Sequence, residues 1–103
     1  LERYLASVNL QPFTPQTITS RAKLKRELVT VRKQGYALDV EEYAENLCCV
    51  SVPVRDPNRG SIVAAISLAM PKLRFRRGHV ARWCGLLDGK AALISPQLGL
   101  IDT

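Results

Sequence analysis

Two neighbouring stretches decide how this chain folds: Gly35-Tyr36-Ala37-Leu38-Asp39-Val40-Glu41-Glu42 and Leu47-Cys48-Cys49-Val50-Ser51-Val52-Pro53-Val54. The first reads as a turn, a short strand candidate over Tyr36 to Val40, and an acidic edge. The second is rich in Val and Cys, and its near-continuous hydrophobicity predicts a strand covered on both faces. Asp56-Pro57-Asn58-Arg59-Gly60 then supplies a turn, since Pro fixes φ while Asn and Gly tolerate positive φ. Ser61 to Ala69, with Ile62-Val63-Ala64-Ala65-Ile66-Ser67-Leu68 inside it, reads as the next strand. Two such runs joined by this turn make an antiparallel hairpin. The small Ala64, Ala65 and Ala69 leave room for a helix or a pocket.

Helices flank the strands. Leu1 and Leu5 fit the end of a helix broken by Pro12 and Pro15, and residues 10–18 read as a loop. Thr19 or Ser20 is a good N-cap. Leu24, Leu28 and Val31 then recur at i, i+4 and i+7 between basic residues, which is an amphipathic helix closed by Gly35. Pro71 stops the second hairpin strand. A long helix is expected from about Arg76 to Leu98, with Val80, Trp83, Cys84, Leu87, Ala91, Ile94 and Leu98 on one stripe. Gly85 and Gly89 each weaken it by about 1 kcal/mol against Ala, so close contact with another element is expected there. Pro96 is expected to loosen the last turn. The fold class is α+β.

At 103 residues the chain is one domain with a modest core. The net charge is +6, concentrated in residues 21–33 and 72–90. A nucleic-acid patch would give this pattern. Two solvated helix faces would too, and they are the reading preferred, because the aromatic interleaving of single-strand binders is absent. The three cysteines are odd in number, and Cys48 and Cys49 point to opposite faces of a strand, so no disulfide framework follows. A reducing cytoplasm is the expected home. His79 gives no zinc spacing with these cysteines. There is no Gly-rich phosphate loop, no nucleophile with a base, no signal peptide, and no apolar run of the roughly 20 residues a membrane helix needs. The first residue is Leu rather than Met, which suggests a piece of something longer.

The order of these features resembles the effector-binding domain of IclR-type bacterial transcription regulators over about 85 residues. The residues that carry the resemblance are Thr17-Ile18-Thr19, Leu24, Glu27-Leu28, Val31-Arg32, Gly35-Tyr36-Ala37, Asp39, Glu41-Glu42, Cys49-Val50-Ser51-Val52-Pro53-Val54, Gly60, Ala64-Ala65-Ile66-Ser67, Pro71, Arg74, Leu87, Ala91-Ala92, Ile94-Ser95 and Leu98-Gly99. The resemblance implies a GAF-like (profilin-like) fold, a curved antiparallel sheet flanked by helices. It implies a sensor for a small organic effector, with a carboxylic acid expected and no cofactor. DNA would be read by an N-terminal winged helix-turn-helix that this chain lacks, in a homodimer or homotetramer with no membrane partner. The first strands and helices of the sensor are expected to be missing too. Carried over residue by residue, the effector contacts are Asp39, Leu47, Cys49 and Ser67 on the concave face of the sheet. Ala69 stands where some relatives have a second Ser, which favours a more apolar ligand. Asn46-Leu47-Cys48 replaces the common Gly-Val or Gly-Leu, so the start of that strand differs. Alternation along the two strands is read as placing Cys49, Ser51, Ile66 and Leu68 on one mixed face.

Each of these residues has a plainer reading beside it. Asp39 could be a turn residue capping a backbone N–H. Cys49 could be a small core hydrophobe, and Ser67 could satisfy a neighbouring backbone group. Glu41 and Glu42 are expected to be solvated rather than an acid/base pair. His79 is expected at the surface, Trp83 in the core or at a dimer interface, and Arg74-Phe75-Arg76-Arg77 at a solvated helix start. Rival functions are a small enzyme using Asp39 with Glu41 or Glu42, a nucleic-acid module using the basic segments, and an oligomerisation module whose pocket is filled by side chains.

Overall fold

The computed structural model describes residues 2–101 as an α+β unit. Helices α1 (Glu2–Ser7) and α2 (Arg21–Gln34) precede strands β1 (Ala37–Val40), β2 (Leu47–Arg55) and β3 (Ile62–Pro71). The strands form one antiparallel sheet in the order β1-β2-β3. Two 3₁₀ turns, Lys72–Arg74 and Arg77–His79, lead into α3 (Val80–Ile101). The Leu1 end of the expected first helix lies outside the described residues; Leu5 is buried.

The boundaries follow local chemistry. Ser20 caps α2 by accepting the Lys23 N–H at 3.3 Å, satisfying one orphan donor of the first turn. Gly35 closes the helix at φ 86°, donating its N–H to Val31 O at 2.8 Å. In the hairpin turn, Asp56 Oδ1 accepts the Asn58 N–H at 2.8 Å, and Gly60 sits at φ 73°.

The core lies between one face of the sheet and α3. Cys48, Val50, Val52 and Val54 alternate along β2 and are almost wholly buried. They meet Val80, Cys84, Leu87 and Ala91 of α3, with Trp83, Ile94 and Leu98 at the margins. The stripe expected for this helix is the one that packs. Ser95 ties the helix to the strand by donating to Arg55 O at 2.6 Å.

Several expectations are corrected. β2 is not fully covered on both faces: Leu47, Cys49, Ser51 and Pro53 are only half-buried, because α3 covers one side. Gly85 and Gly89 make no close contact, since an added Cβ would meet open space at both. They lie on the outer side of α3 with the exposed Leu86 and Leu93. α3 starts at Val80 rather than Arg76, because Phe75 and Arg76 are extended and the chain then winds as 3₁₀. Pro96 lies within α3, which runs on to Ile101. The apolar stripe of α2 is half-buried. β3 is a sheet edge among the described residues, and eight of its ten residues are exposed.

These positions predict a stability ranking in the intact protein. Val52→Ala should cost about 2–3 kcal/mol through lost burial and a residual cavity. Gly35→Ala should cost about 1–2 kcal/mol through left-handed strain, and Leu86→Ala no more than about 0.5 kcal/mol. Denaturant melts check the order. A Leu86→Ala cost matching that of Val52→Ala would contradict a core confined to one face.

Candidate functional site

The pairing register sorts every strand residue by face. Asp39 pairs with Cys49, and Cys49 with Ala69; Ala37 pairs with Ser51, and Ser51 with Ser67; Leu47 pairs with Pro71. Opposed residues share a face and alternate residues repeat it. Asp39, Leu47, Cys49 and Ser67 therefore lie on one face, the side away from α3. The same register corrects the reading of Ile66 and Leu68. They pair with Val52 and Val50, so they belong to the α3 side. The mixed lining consists instead of Cys49, Ser51, Ala65, Ser67 and Ala69.

Asp39 Oδ1 accepts the Glu42 N–H at 2.8 Å, so its carboxylate serves the turn as the plainer reading held. Cys49 is half-buried and free, and burial, then the Asp39 charge, pushes its thiol up. The group is a neutral thiol near neutral pH. Ser67 bonds not to backbone but to Ser51, oxygen to oxygen at 2.5 Å.

The link between β1 and β2 is held tightly. Glu41 and Asn46 both take left-handed backbone, at φ 59° and 65°. Asn tolerates this conformation; Glu does so at a cost of about 1–2 kcal/mol. The cost is offset by contacts. Glu41 accepts the Asn46 N–H at 3.0 Å and pairs with Lys72 Nζ at 2.7 Å. The Lys72 N–H reaches Asn46 O at 3.1 Å. From the other side Thr14 and Thr17 donate short hydrogen bonds to Glu41 O and Glu42 O, and Phe13 packs on Tyr43 with ring centroids 5.5 Å apart.

The acidic pair is therefore not simply solvated. The Lys72 ammonium, followed by the Asn46 N–H, holds the Glu41 carboxyl below its ordinary range. Partial burial, then the charges of Asp39 and Glu27, pushes Glu42 above it. His79 is exposed and meets Trp83 edge-on at 5.6 Å. Arg76 donates to the carbonyls of Leu73 and Phe75, and Arg77 lies 5.7 Å from the Phe75 ring centroid. The cations of both basic segments are exposed.

A cavity of about 520 Å³ opens between α2 and the hairpin end of the sheet. Leu28, Val31, Tyr36, Pro53, Ala64 and Ala65 give it apolar walls, and Arg32 and Arg55 also line it. It includes Ser51 but none of the four residues expected to touch an effector. Cavity and expected contacts are neighbours on one face, joined at Ser51. Sequence reasoning left out Ser51 as a contact, though its spacing from Cys49 signals the same face. It also left out Thr14, Thr17 and Lys72, whose partners are distant in sequence. Among the described residues no three of His, Cys, Asp and Glu converge as metal ligands. No described helix is long and apolar enough to cross a membrane.

Comparison with known proteins decides the family. The model of the bacterial transcriptional regulator IclR C-terminal domain matches residues 1–96. The chain belongs to the IclR family. It is 37% identical over 102 residues to the HTH-type transcriptional regulator KdgR of Escherichia coli K12, covering 99% of this chain and 38% of that protein. To the HTH-type transcriptional repressor AllR of Klebsiella pneumoniae it is 38% identical over 96 residues, covering 93% and 35%. The crystal structure of Thermotoga maritima IclR superposes with a TM-score of 0.86 at 42% identity, over 95% of this chain and 39% of that one. The C-terminal domain of E. coli KdgR superposes with a TM-score of 0.84 at 38% identity, over 95% and 59%. The chain thus spans little more than a third of these curated relatives. The structural neighbours are IclR C-terminal domains with the same α+β fold.

The two acids predict opposite pH behaviour. A carboxyl pushed up in the folded state prefers to be neutral, so ionised Glu42 costs stability at neutral pH. That cost is relieved as pH falls through the raised value toward the ordinary 4.5. Glu41 is held down, so its contribution is present above 4.5 and lost as pH falls through the lowered value. Glu42→Gln should raise the melting temperature near neutral pH, with the gain shrinking in acid. Glu41→Gln should lower it near neutral pH, with the loss fading in acid. Melting curves across pH check both; the same sign for the two variants would refute the assignment.

Proposed function

We propose that this chain is the effector-sensing part of an IclR-type DNA-binding regulator, and that a small organic acid binds the face carrying Asp39, Leu47, Cys49 and Ser67. The observation that carries the reading is the strand register, which brings these four residues to one face although residues 39 and 67 belong to different strands. The face is mixed apolar and hydroxylic, as small-molecule sites are. DNA would be read by an N-terminal winged helix-turn-helix outside this chain, in a cytoplasmic homodimer or homotetramer. The coupling is a population shift: the effector binds one arrangement of sensor domains better and so biases the spacing of the DNA-binding domains.

Two rivals have less support. A nucleic-acid module would use the basic segments, but Lys25 pairs with Glu2, Lys72 pairs with Glu41, and Arg76 binds its own backbone. An enzyme built on Glu41 would need a free carboxylate, and Lys72 and Asn46 occupy this one.

The test is a thermal-shift titration of the intact regulator with aliphatic, aromatic and sugar acids, beside Asp39→Ala. The expected result is saturable stabilisation by one class, about 3 kcal/mol at a hundredfold excess over Kd, weakened at least tenfold in the variant. A cooperative melt that no acid shifts would favour an oligomerisation domain filled by its own side chains.

A further inference from the structure

We infer that Ser51 sets effector specificity: paired with Ser67, it receives the acid end of an elongated hydroxy acid whose hydroxyl end meets Asp39. This rests on the effector reading above and adds a residue, an orientation and a length to it.

Three observations carry the inference. The first is the hydroxyl pair. Ser51 and Ser67 face each other across β2 and β3 at 2.5 Å, on the side that carries Asp39 and Cys49. One proton bridges the two oxygens, which leaves the other hydroxyl proton free to donate to a ligand oxygen. Ala69 carries no hydroxyl on the Cys49 row, so the hydroxyl donors cluster one row further along.

The second is the gradient of charge along the face. Asp39 stands at one end with Glu42 beside it, and the Lys72 ammonium at that end is already paired with Glu41. Beyond Ser51, at the other end, the cavity is lined by Arg32 and Arg55. Arg55 donates to Gly60 O through one nitrogen, which leaves its other donors for further partners. A ligand carboxylate placed against Asp39 would meet like charge. Turned toward Ser51, it meets hydroxyl donors and the side of the cavity that holds the arginines. The same ligand must then present a donor to Asp39, which only accepts.

The third is distance. Asp39 lies one strand over and two residues along from Ser51. With strands about 4.8 Å apart and a rise of about 3.4 Å per residue, the two backbone positions are about 8 Å apart. With bonds of about 1.5 Å, a ligand spanning them is a chain of at least roughly five or six bonds. A two-carbon acid touches one end only.

The experiment is calorimetric titration of the intact regulator with glycolate, 4-hydroxybutyrate, 6-hydroxyhexanoate and hexanoate, in wild type and in Ser51→Ala, Ser51→Thr and Asp39→Asn. The expected result is that the longer hydroxy acids bind more tightly than glycolate and than hydroxyl-free hexanoate. Ser51→Ala should weaken them about tenfold, the scale of a hydrogen bond to a charged group, and Ser51→Thr should restore most of the loss. Ser67→Ala carries the same measurement if Ser51→Ala melts early. Binding that Asp39→Asn weakens but neither serine variant changes would overturn the role of Ser51 and leave the effector face standing. Preference for glycolate would overturn the length. No binding of these four acids to wild type, in a regulator that an aromatic or sugar acid stabilises, would overturn this inference and leave the effector face standing.

Discussion

The packing of β2 against α3 constrains everything else. Cys48, Val50, Val52 and Val54 are withdrawn from water by one helix, and each buried valine contributes roughly 1.5–2 kcal/mol. Strand side chains alternate strictly. A slip of one residue would expose all four and bury Cys49, Ser51 and Pro53 in their place. The hydrophobic effect thus fixes which residues look away from α3. The polar face is a consequence of the apolar one.

A second constraint sets where β2 begins. Two left-handed residues, Glu41 and Asn46, turn the chain between β1 and β2, and Glu at such a position is unfavourable by itself. Lys72 bridges the turn to the end of β3 by its side chain and its N–H, so three strand ends meet in one knot. Leu47 and Asp39 stand on either side of it. Asn46 is a residue type that accepts positive φ, so the entry to β2 is tolerated for a physical reason.

Much of this was legible from the residues. The Ser20 and Gly35 caps, the hairpin around Asp56–Gly60, and the α3 stripe each depend on chemistry within a few positions. What failed depends on distance or on packing partners. Gly85 and Gly89 look the same in sequence whether a neighbour approaches or solvent does, and here they face solvent. The face of Ile66 and Leu68 could not be set without the pairing register, because alternation within β3 does not say which alternate set meets Ser51. The Thr14 and Thr17 clasp joins residues more than twenty positions apart. The four expected contacts share a face because the resemblance supplied them and the register agrees; the neighbouring cavity needed the placement of α2.

That clasp bears on how an occupied face could be felt elsewhere. The Asp39 carboxylate holds the Glu42 N–H, while Thr17 holds the carbonyl of the same residue and Thr14 that of Glu41. The Glu42 N–H occupies Oδ1, so a ligand donor would meet the same carboxylate at Oδ2. It therefore acts on a turn fastened to the segment before α2, not on an isolated side chain. Glu42 sits partly buried beside the like charges of Asp39 and Glu27, so a donor that screens the Asp39 charge would also ease Glu42. If the proposed effector site is the right one, binding and turn geometry would be linked through the same two acids. The segment holding that turn leads directly into α2, the helix that walls the cavity on the other side of Ser51.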